Sequence, residues 1–180
     1  MEYLDILNPD GTPTGQSVSR ERAHREGLWH RTVHVWVVTP DNRILLQRRS
    51  LTKDVYPGLW DTSAAGHIEA GGTSIPAAIR EVGEELGLVV RPDELRVLGT
   101  LRQIDDNDET SIHDRELVDI YLVVRTDISS VRIDNIEVTG IRTIALDDFE
   151  QVLASERGCF VDHREEYPLL VSALRRMAAR

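Results

Sequence analysis

Three glutamates, Glu81, Glu84 and Glu85, recur at spacings i, i+3 and i, i+4. On a helix those spacings gather the carboxylates on one side. Like charges so placed repel by a few tenths of a kcal/mol per pair, and something must compensate. Arg80 supplies one neutralising contact. A hard divalent cation supplies the rest, because carboxylate oxygens are its preferred ligands. Such a cation bridges anionic oxygens, polarises phosphorus and orients an attacking water. A solvated acidic face is the competing reading of a Glu-rich helix, and the loop before it shifts the balance. Gly66 lies fourteen residues before Arg80, and the segment between carries His67, Glu69, Gly71 and Gly72. A chain that must wrap closely around a ligand uses glycine in this way.

Other residues suit the same chemistry. Arg48, Arg49 and Lys53 stand out in an acidic chain. They read either as strand-end surface charges or as a clamp on phosphate, where arginine binds two oxygens at once. Asp114 and Glu116 lie at i, i+2, so one face of a strand can carry both. His30 and His34 share a strand face, and a half-buried strand histidine is more often satisfied by a backbone carbonyl than by a metal. That plainer reading is kept for His34 and His113. The run Asp105-Asp106-Asn107-Asp108-Glu109 reads as a solvated loop, and Trp29, Trp36 and Trp60 read as core.

The elements that must position these residues follow from periodicity. Residues 3–18 form a hairpin around the turn Asn8-Pro9-Asp10-Gly11, and residues 19–26 form a short helix. Residues 30–39 form a strand, with Val33, Val35 and Val37 on one face and His30, Thr32, His34 and Trp36 on the other. Residues 43–48 return as a strand. Residues 50–72 form a long loop, a length usually reserved for function. The glutamate helix starts at a Thr73 or Ser74 cap and stops at Gly87, with Ala78, Ile79, Val82 and Leu86 as its apolar stripe. Strands follow over 88–91, 95–103, 116–125 and 137–145, then helices over 147–155 and 165–179. This order predicts an α/β fold, a mixed sheet with helices on both faces. The chain is expected to be a single domain: N-terminal hairpin and short helix over 1–29, core over 30–155, C-terminal helix over 156–180.

The chain has 180 residues, 21 Lys plus Arg against 31 Asp plus Glu, and a formal net charge of −10. That argues against a duplex nucleic-acid binder, which needs a basic face. It leaves open a phosphate-bearing small molecule, because a metal ion reverses the local sign. Cys159 is the single cysteine, so neither an internal disulfide nor a Cys-rich zinc site is expected. No apolar run is long enough to span a membrane, and Met1-Glu2-Tyr3-Leu4-Asp5 lacks the character of a secretory signal. The expectation is a cytoplasmic protein, with a homodimer left open.

The segment Gly66-His67-Ile68-Glu69-Ala70-Gly71-Gly72, followed by Arg80-Glu81-Val82-Gly83-Glu84-Glu85-Leu86-Gly87-Leu88, resembles the Nudix box. That pattern is Gly, five residues, Glu, seven residues, then Arg-Glu-apolar-x-Glu-Glu-x-Gly-apolar. One position departs: the first Glu of the pattern falls on Gly72. In the family that residue braces the box arginine and the loop. The resemblance implies a Nudix-type α/β/α sandwich around a mixed β-sheet. It implies Glu81, Glu84 and Glu85 as ligands of Mg2+, with Mn2+ as an alternative, and Arg80 as a structural residue of the box.

A narrower resemblance reaches further. His24, His30, Arg48-Arg49-Ser50-Leu51-Thr52-Lys53, Tyr56-Pro57-Gly58-Leu59-Trp60 and Gly66-His67 are similar to type I isopentenyl-diphosphate isomerases, a branch of the same superfamily. The spacing is nearly gap-free from Arg48 through Glu116. By this resemblance His24, His30, His67, Asp114 and Glu116 hold a divalent metal, and Arg20, Arg49 and Lys53 hold the diphosphate beside Gly66. The isomerases carry a Cys just before the Gly-His pair to move a proton on carbon. This chain has Ala65 there, so that acid–base pair is incomplete, whereas the box glutamates are complete.

The expected function is therefore a Mg-dependent Nudix pyrophosphohydrolase acting on a diphosphate linkage in a nucleoside diphosphate derivative or other small organic diphosphate. Glu84, Glu85 and Glu116 are its candidate catalytic residues. An isopentenyl-diphosphate isomerase-like enzyme and a non-catalytic diphosphate-binding module are the alternatives.

Overall fold

The computed structural model describes residues 1–107, 111–133 and 135–178. In chain order the elements are β1 (Tyr3–Leu7), β2 (Pro13–Ser19), α1 (Arg20–Glu26), β3 (His30–Val38), β4 (Arg43–Arg49), β5 (Trp60–Asp61), β6 (Ala64–His67), α2 (Ser74–Leu86), β7 (Arg96–Asn107), β8 (Ile112–Val124), β9 (Val138–Ala145), α3 (Leu146–Ser155) and α4 (Tyr167–Ala178).

Local chemistry accounts for the boundaries. Asp10 Oδ1 accepts from the Thr12 N–H at 2.9 Å, closing the turn between β1 and β2. Ser19 caps α1 by accepting from the Arg22 N–H, and Gly27 ends it in the left-handed region at φ 60°. Gly87 ends α2 at φ 65°. Its N–H donates to Gly83 O and the Leu88 N–H donates to Val82 O, which satisfies the last carbonyls of the helix.

The main sheet runs β5-β4-β3-β8-β7, with β6 on β3 and β9 on β4. β3 and β8 are parallel and the other pairs antiparallel, so the sheet is mixed. Along one edge β3 changes partner. It meets β4 at Val38↔Ile44 and β6 over Thr32–Val35. The sheet therefore forks between β4 and β6.

Alternation sends the two faces of β3 into two cores. Val33, Val35 and Val37 pack with Ala78, Val82 and Leu86 of α2. Trp36 and Val38 pack with Phe149 of α3 and Leu170 and Leu174 of α4. Each such side chain contributes about 1.5–3 kcal/mol when fully buried. The result is the expected α/β/α sandwich.

Four expectations change. Residues 88–91 form no strand: Leu88 and Val90 are buried and Val89 exposed, so period two is present without a ladder partner. The long loop holds β5 and β6, too short and too Gly- and Ala-rich to show periodicity. β7 and β8 extend past their expected ends, so Asp105, Asp106 and Asn107 lie in a strand opposite Asp114, His113 and Ile112. Arg115 and His113 pair with Asp106 there, offsetting the charge. Asp108 and Glu109 lie outside the described residues, as do Ala179 and Arg180 of the expected last helix. Finally, Trp36 is fully buried, but Trp29 and Trp60 are half-buried beneath the guanidinium groups of Arg102 and Arg142. No helix among the described residues is long and apolar enough to cross a membrane.

Candidate active site

Strand register assembles an imidazole cluster. His30 on β3 pairs with Glu116 on β8, and Thr32 on β3 pairs with His67 on β6. Since alternate residues share a face, His30, Glu116 and His67 meet on one side of the sheet. α1 brings His24 over them. The three rings lie with centroids 5.1–5.3 Å apart. His24 Nε2 stands 3.2 Å from His67 Nε2 and 3.6 Å from Asp114 Oδ1. His30 Nε2 stands 3.5 Å from Glu116 Oε1.

The donors in this cluster fit a divalent ion. His30 Nδ1 faces the Leu28 carbonyl at 2.8 Å, which orients Nε2 into the cluster, as the outer partner of a ligating histidine does. His67 Nδ1 faces Glu2 at 3.4 Å in the same way. His30 Nε2 and Asp114 Oδ1 are buried and make no hydrogen bond among the described residues, an arrangement that costs free energy unless a partner binds. Imidazole with carboxylate is a donor set for Mn2+ and other first-row ions. Electrostatics agree. Burial pushes His24 down to about 3, helped by His67 and His30, so its ring is neutral. Burial raises Asp114 to about 7. Burial opposes ionisation of Glu116 too, yet pairing with His30 brings it down to about 2.

The box glutamates stand on the opposite side of β6. Gly66 pairs with Val33 and so faces α2. A Cβ on Gly66 would overlap the Glu81 carboxylate, which is why glycine is required there. Glu85 Oε2 accepts from the Ala65 N–H and from Gln47 Nε2, both at 3.0 Å. Arg80 pairs with Glu81 at 2.8 Å and Glu84 at 2.9 Å, and donates to the His67 carbonyl at 2.9 Å. The helix does not present its three glutamates alike. Glu81 and Glu85 are 8% and 4% exposed, while the Glu84 side chain is 61% exposed. A solvated face therefore describes Glu84 alone. Burial raises Glu81 to about 7, against the nearby Arg80, and Glu85 to about 8, so a further cation would favour the charged form of both.

A cleft of about 540 Å³ opens at the fork of the sheet and reaches both sets. Arg20, His24, Arg49, Lys53, Gly66, His67, Glu81, Glu84, Asp114 and Glu116 all line it, whereas Glu85 sits behind β6. The acidic residues do not gather at one ligand point: among the described residues the tight group here is His24, His30, His67 and Glu116. Arg49 bonds Asp61 at 2.8 Å, Arg20 lies 3.8 Å from Glu2, and Lys53 pairs with Glu137.

Sequence reasoning missed Glu2, Asp61, His163 and Glu166. Glu2 and Asp61 had no periodic context, and His163 and Glu166 carried only a spacing of i, i+3 within a segment read as helix. The carbonyl expected to satisfy His34 is instead the Glu166 carboxylate at 2.8 Å, and His113 is satisfied by Asp106 at 3.0 Å. His34, His163 and Glu166 form a second tight group. His34 bonds Glu166 and His163 bonds Asp61, so these side chains already partner one another in a buried network.

Gly72 also has a local reason. Its N–H closes a turn onto Glu69 O, and a Cβ would stand 2.8 Å from that oxygen. The N-terminal hairpin holds the loop here. Gly71 N–H donates to Asp5 Oδ2 at 2.7 Å and Ala70 N–H to Tyr3 O at 2.8 Å.

An α/β/α sandwich whose glycine-rich loop feeds an Arg-Glu-x-x-Glu-Glu helix defines the Nudix class. The family model for the NUDIX domain matches residues 28–163, and this chain belongs to that family. Curated relatives include Nudix hydrolase 3 of Arabidopsis thaliana, 36% identical over 97% of this chain but only 23% of that protein. An uncharacterised Nudix hydrolase of Clostridium acetobutylicum is 35% identical over 84% of this chain and 74% of that protein. An isopentenyl-diphosphate Δ-isomerase of Escherichia coli is 31% identical over 76% of this chain and 73% of that protein. Among solved structures, DR0079 from Deinococcus radiodurans aligns over 98% of this chain and 99% of its own, with 20% identity and a TM-score of 0.66. The NUDIX domain of Shewanella oneidensis NrtR, complexed with ADP ribose, aligns over 80% and 87%, with 17% identity and a TM-score of 0.61.

Proposed function

We propose that this chain is a Mg2+-dependent pyrophosphohydrolase, with Mn2+ as an alternative, cleaving the diphosphate linkage of a nucleoside diphosphate derivative or another small organic diphosphate. The observation that carries this reading is the meeting of Glu81, Glu84, the His24–His30–His67–Glu116 group and the bases Arg49 and Lys53 around one cleft. Glu81, Glu84 and Glu85 would hold one divalent ion, with Arg80 fixing the first two. His24, His30, His67, Asp114 and Glu116 would hold another. A bound divalent ion supplies charge neutralisation at phosphate oxygens. Arg20, Arg49 and Lys53 would grip the anion, and the bare backbone at Gly66 lets it approach. Glu116, strongly ionised, suits a ligand better than a proton acceptor, since a general base needs a pKa near the working pH. The described residues read as one domain.

The test is hydrolysis across nucleoside, sugar-nucleotide, prenyl and cofactor diphosphates with Mg2+ or Mn2+. Release of phosphate or nucleotide that Glu85→Gln abolishes supports the reading. Absence of turnover across the panel, or full turnover in Glu85→Gln, defeats it.

A second reading, diphosphate isomerase, is favoured by the imidazole cluster together with the 31% identity to the E. coli isomerase. Ala65 stands where that chemistry needs a thiol. Deuterium uptake into isopentenyl diphosphate would decide for it.

A further inference from the structure

Along one wall of the cleft runs a line of polar contacts that includes none of the proposed metal ligands. Arg49 Nη1 donates to Asp61 Oδ2 at 2.8 Å. Asp61 Oδ1 accepts from His163 Nε2 at 2.6 Å and from the Thr62 N–H at 2.7 Å. His163 Nδ1 lies 3.8 Å from Glu166 Oε2, which also meets His34 Nδ1, while Glu166 Oε1 accepts from Trp36 Nε1. The side chains of Asp61 and His163 are each 4% exposed. The His163 ring stands edge-on to His34 and Tyr167, with centroids 4.9 and 6.1 Å away. It has no freedom to leave Asp61.

Arg49, Asp61 and His163 all line the cleft, and Arg49 brings the guanidinium to it. Its Nε and Nη2 donate to the Val55 carbonyl at 3.0 and 2.9 Å. Three of the five guanidinium N–H groups are thus used, and the other two have no partner among the described residues. The side chain is 19% exposed, at the cleft wall. An arginine already locked in place loses little rotamer freedom when it grips an anion. Without Asp61 the same guanidinium would be held by the Val55 carbonyl alone. His163 belongs to the segment between α3 and α4, remote in sequence from β4, which carries Arg49.

We propose that His163 is a positioning residue for phosphate binding. Through Asp61 it sets the direction in which Arg49 offers its two unpaired N–H groups to the cleft. The proposal rests on the reading of Arg49 as a phosphate-gripping group.

The experiment is calorimetric titration of the full chain with inorganic pyrophosphate at saturating Mg2+. Arg49→Met is expected to weaken binding about tenfold or more, the loss of a charge-assisted pair. His163→Leu is expected to weaken it about five- to tenfold. His163→Gln places an amide where Nε2 stands and keeps affinity within about twofold, whereas His163→Asn falls short of Asp61 and behaves like His163→Leu. In the Arg49→Met background His163→Leu adds no further loss, because both act through one group. With a substrate that turns over, His163→Leu raises KM and leaves kcat within about twofold. Unchanged affinity in both His163→Leu and His163→Asn overturns the proposal. So does an additive loss in the double variant, or His163→Gln binding no better than His163→Leu. Each of those results leaves the Nudix hydrolase reading standing. Wild-type protein that does not bind pyrophosphate, or Arg49→Met that binds as wild type does, defeats the phosphate reading of this cleft and the proposal with it.

Discussion

His30 Nε2 lies 3.5 Å from Glu116 Oε1 on the neighbouring parallel strand, and that nitrogen is buried without a hydrogen bond among the described residues. Burial alone would discharge the His30 ring, but Glu116 raises its pKa above the ordinary histidine value. The pocket asks for positive charge at this point. A divalent ion would meet it, with His24 and His67 as further ligands.

Metal binding should therefore depend on this pair. Purified protein dialysed against Co2+ is expected to show the visible absorption of a nitrogen-ligated ion. His30→Gln should weaken uptake by about 10- to 100-fold, the usual effect of disturbing a ligand shell. Equal Co2+ affinity in wild type and His30→Gln would refute the assignment.

Glu85→Gln keeps the acceptor for the Ala65 N–H and removes the charge. Turnover should fall by about 10²–10³, while thermal unfolding stays within a few degrees of wild type. A large loss of stability with unchanged specific activity would show that Glu85 serves the fold only.

Gly66→Ala puts a Cβ into the Glu81 carboxylate. The Glu81 carboxylate must move aside, at a cost of about 1–3 kcal/mol. The expected signature is a higher Mg2+ requirement for turnover, at least about tenfold, with the imidazole site still binding Co2+. An unaltered Mg2+ dependence would mean that Glu81 does not act from this position.

Stability should also follow pH through the buried cluster of His34, His163, Glu166 and Asp61. Burial works against charge on His34, but Glu166 and Asp61, with Glu116 further off, raise its pKa to about 9 from 6.5. A raised folded-state pKa contributes stability that is complete below about pH 6.5 and lost as pH climbs through about 9. Asp61 and Glu166 are held below their ordinary values, against burial, by His163 and His34 respectively. Their contribution is present above about pH 4.5 and lost as pH falls. Denaturant unfolding should give a plateau near pH 5–6.5 with losses on both sides. His34→Leu should flatten the alkaline limb between pH 6.5 and 9, and an undiminished limb in that variant would count against the ion pair.

Much of this molecule was legible one residue at a time. The spacing of Glu81, Glu84 and Glu85, the Gly87 stop, and the alternation in 30–38 follow from the 3.6 and 2.0 periods of helix and strand. Those periods depend only on neighbours along the chain, so the box helix and β3 stand where they were expected. Where a partner was needed, periodicity failed. Residues 88–91 alternate without a strand to join, and β6 forms from Ala64-Ala65-Gly66-His67 because β3 offers an edge.

What only tertiary structure decided is the division of the acidic residues. Nothing in the spacing of Glu81, Glu84, Glu85, Asp114 and Glu116 along the chain says which of them share a side of the sheet. The register Val33↔Gly66 and Thr32↔His67 sends the glutamates to one side of β6 and the imidazoles to the other, and the fork of the sheet opens the cleft that reaches both. His163 and Asp61 meet for the same reason: their 2.6 Å contact depends on how α4 docks, which no local period encodes. The spacing of Glu81, Glu84 and Glu85 called for a compensating cation, and the folding of β6 against β3 decides how the candidate ligands lie around the cleft.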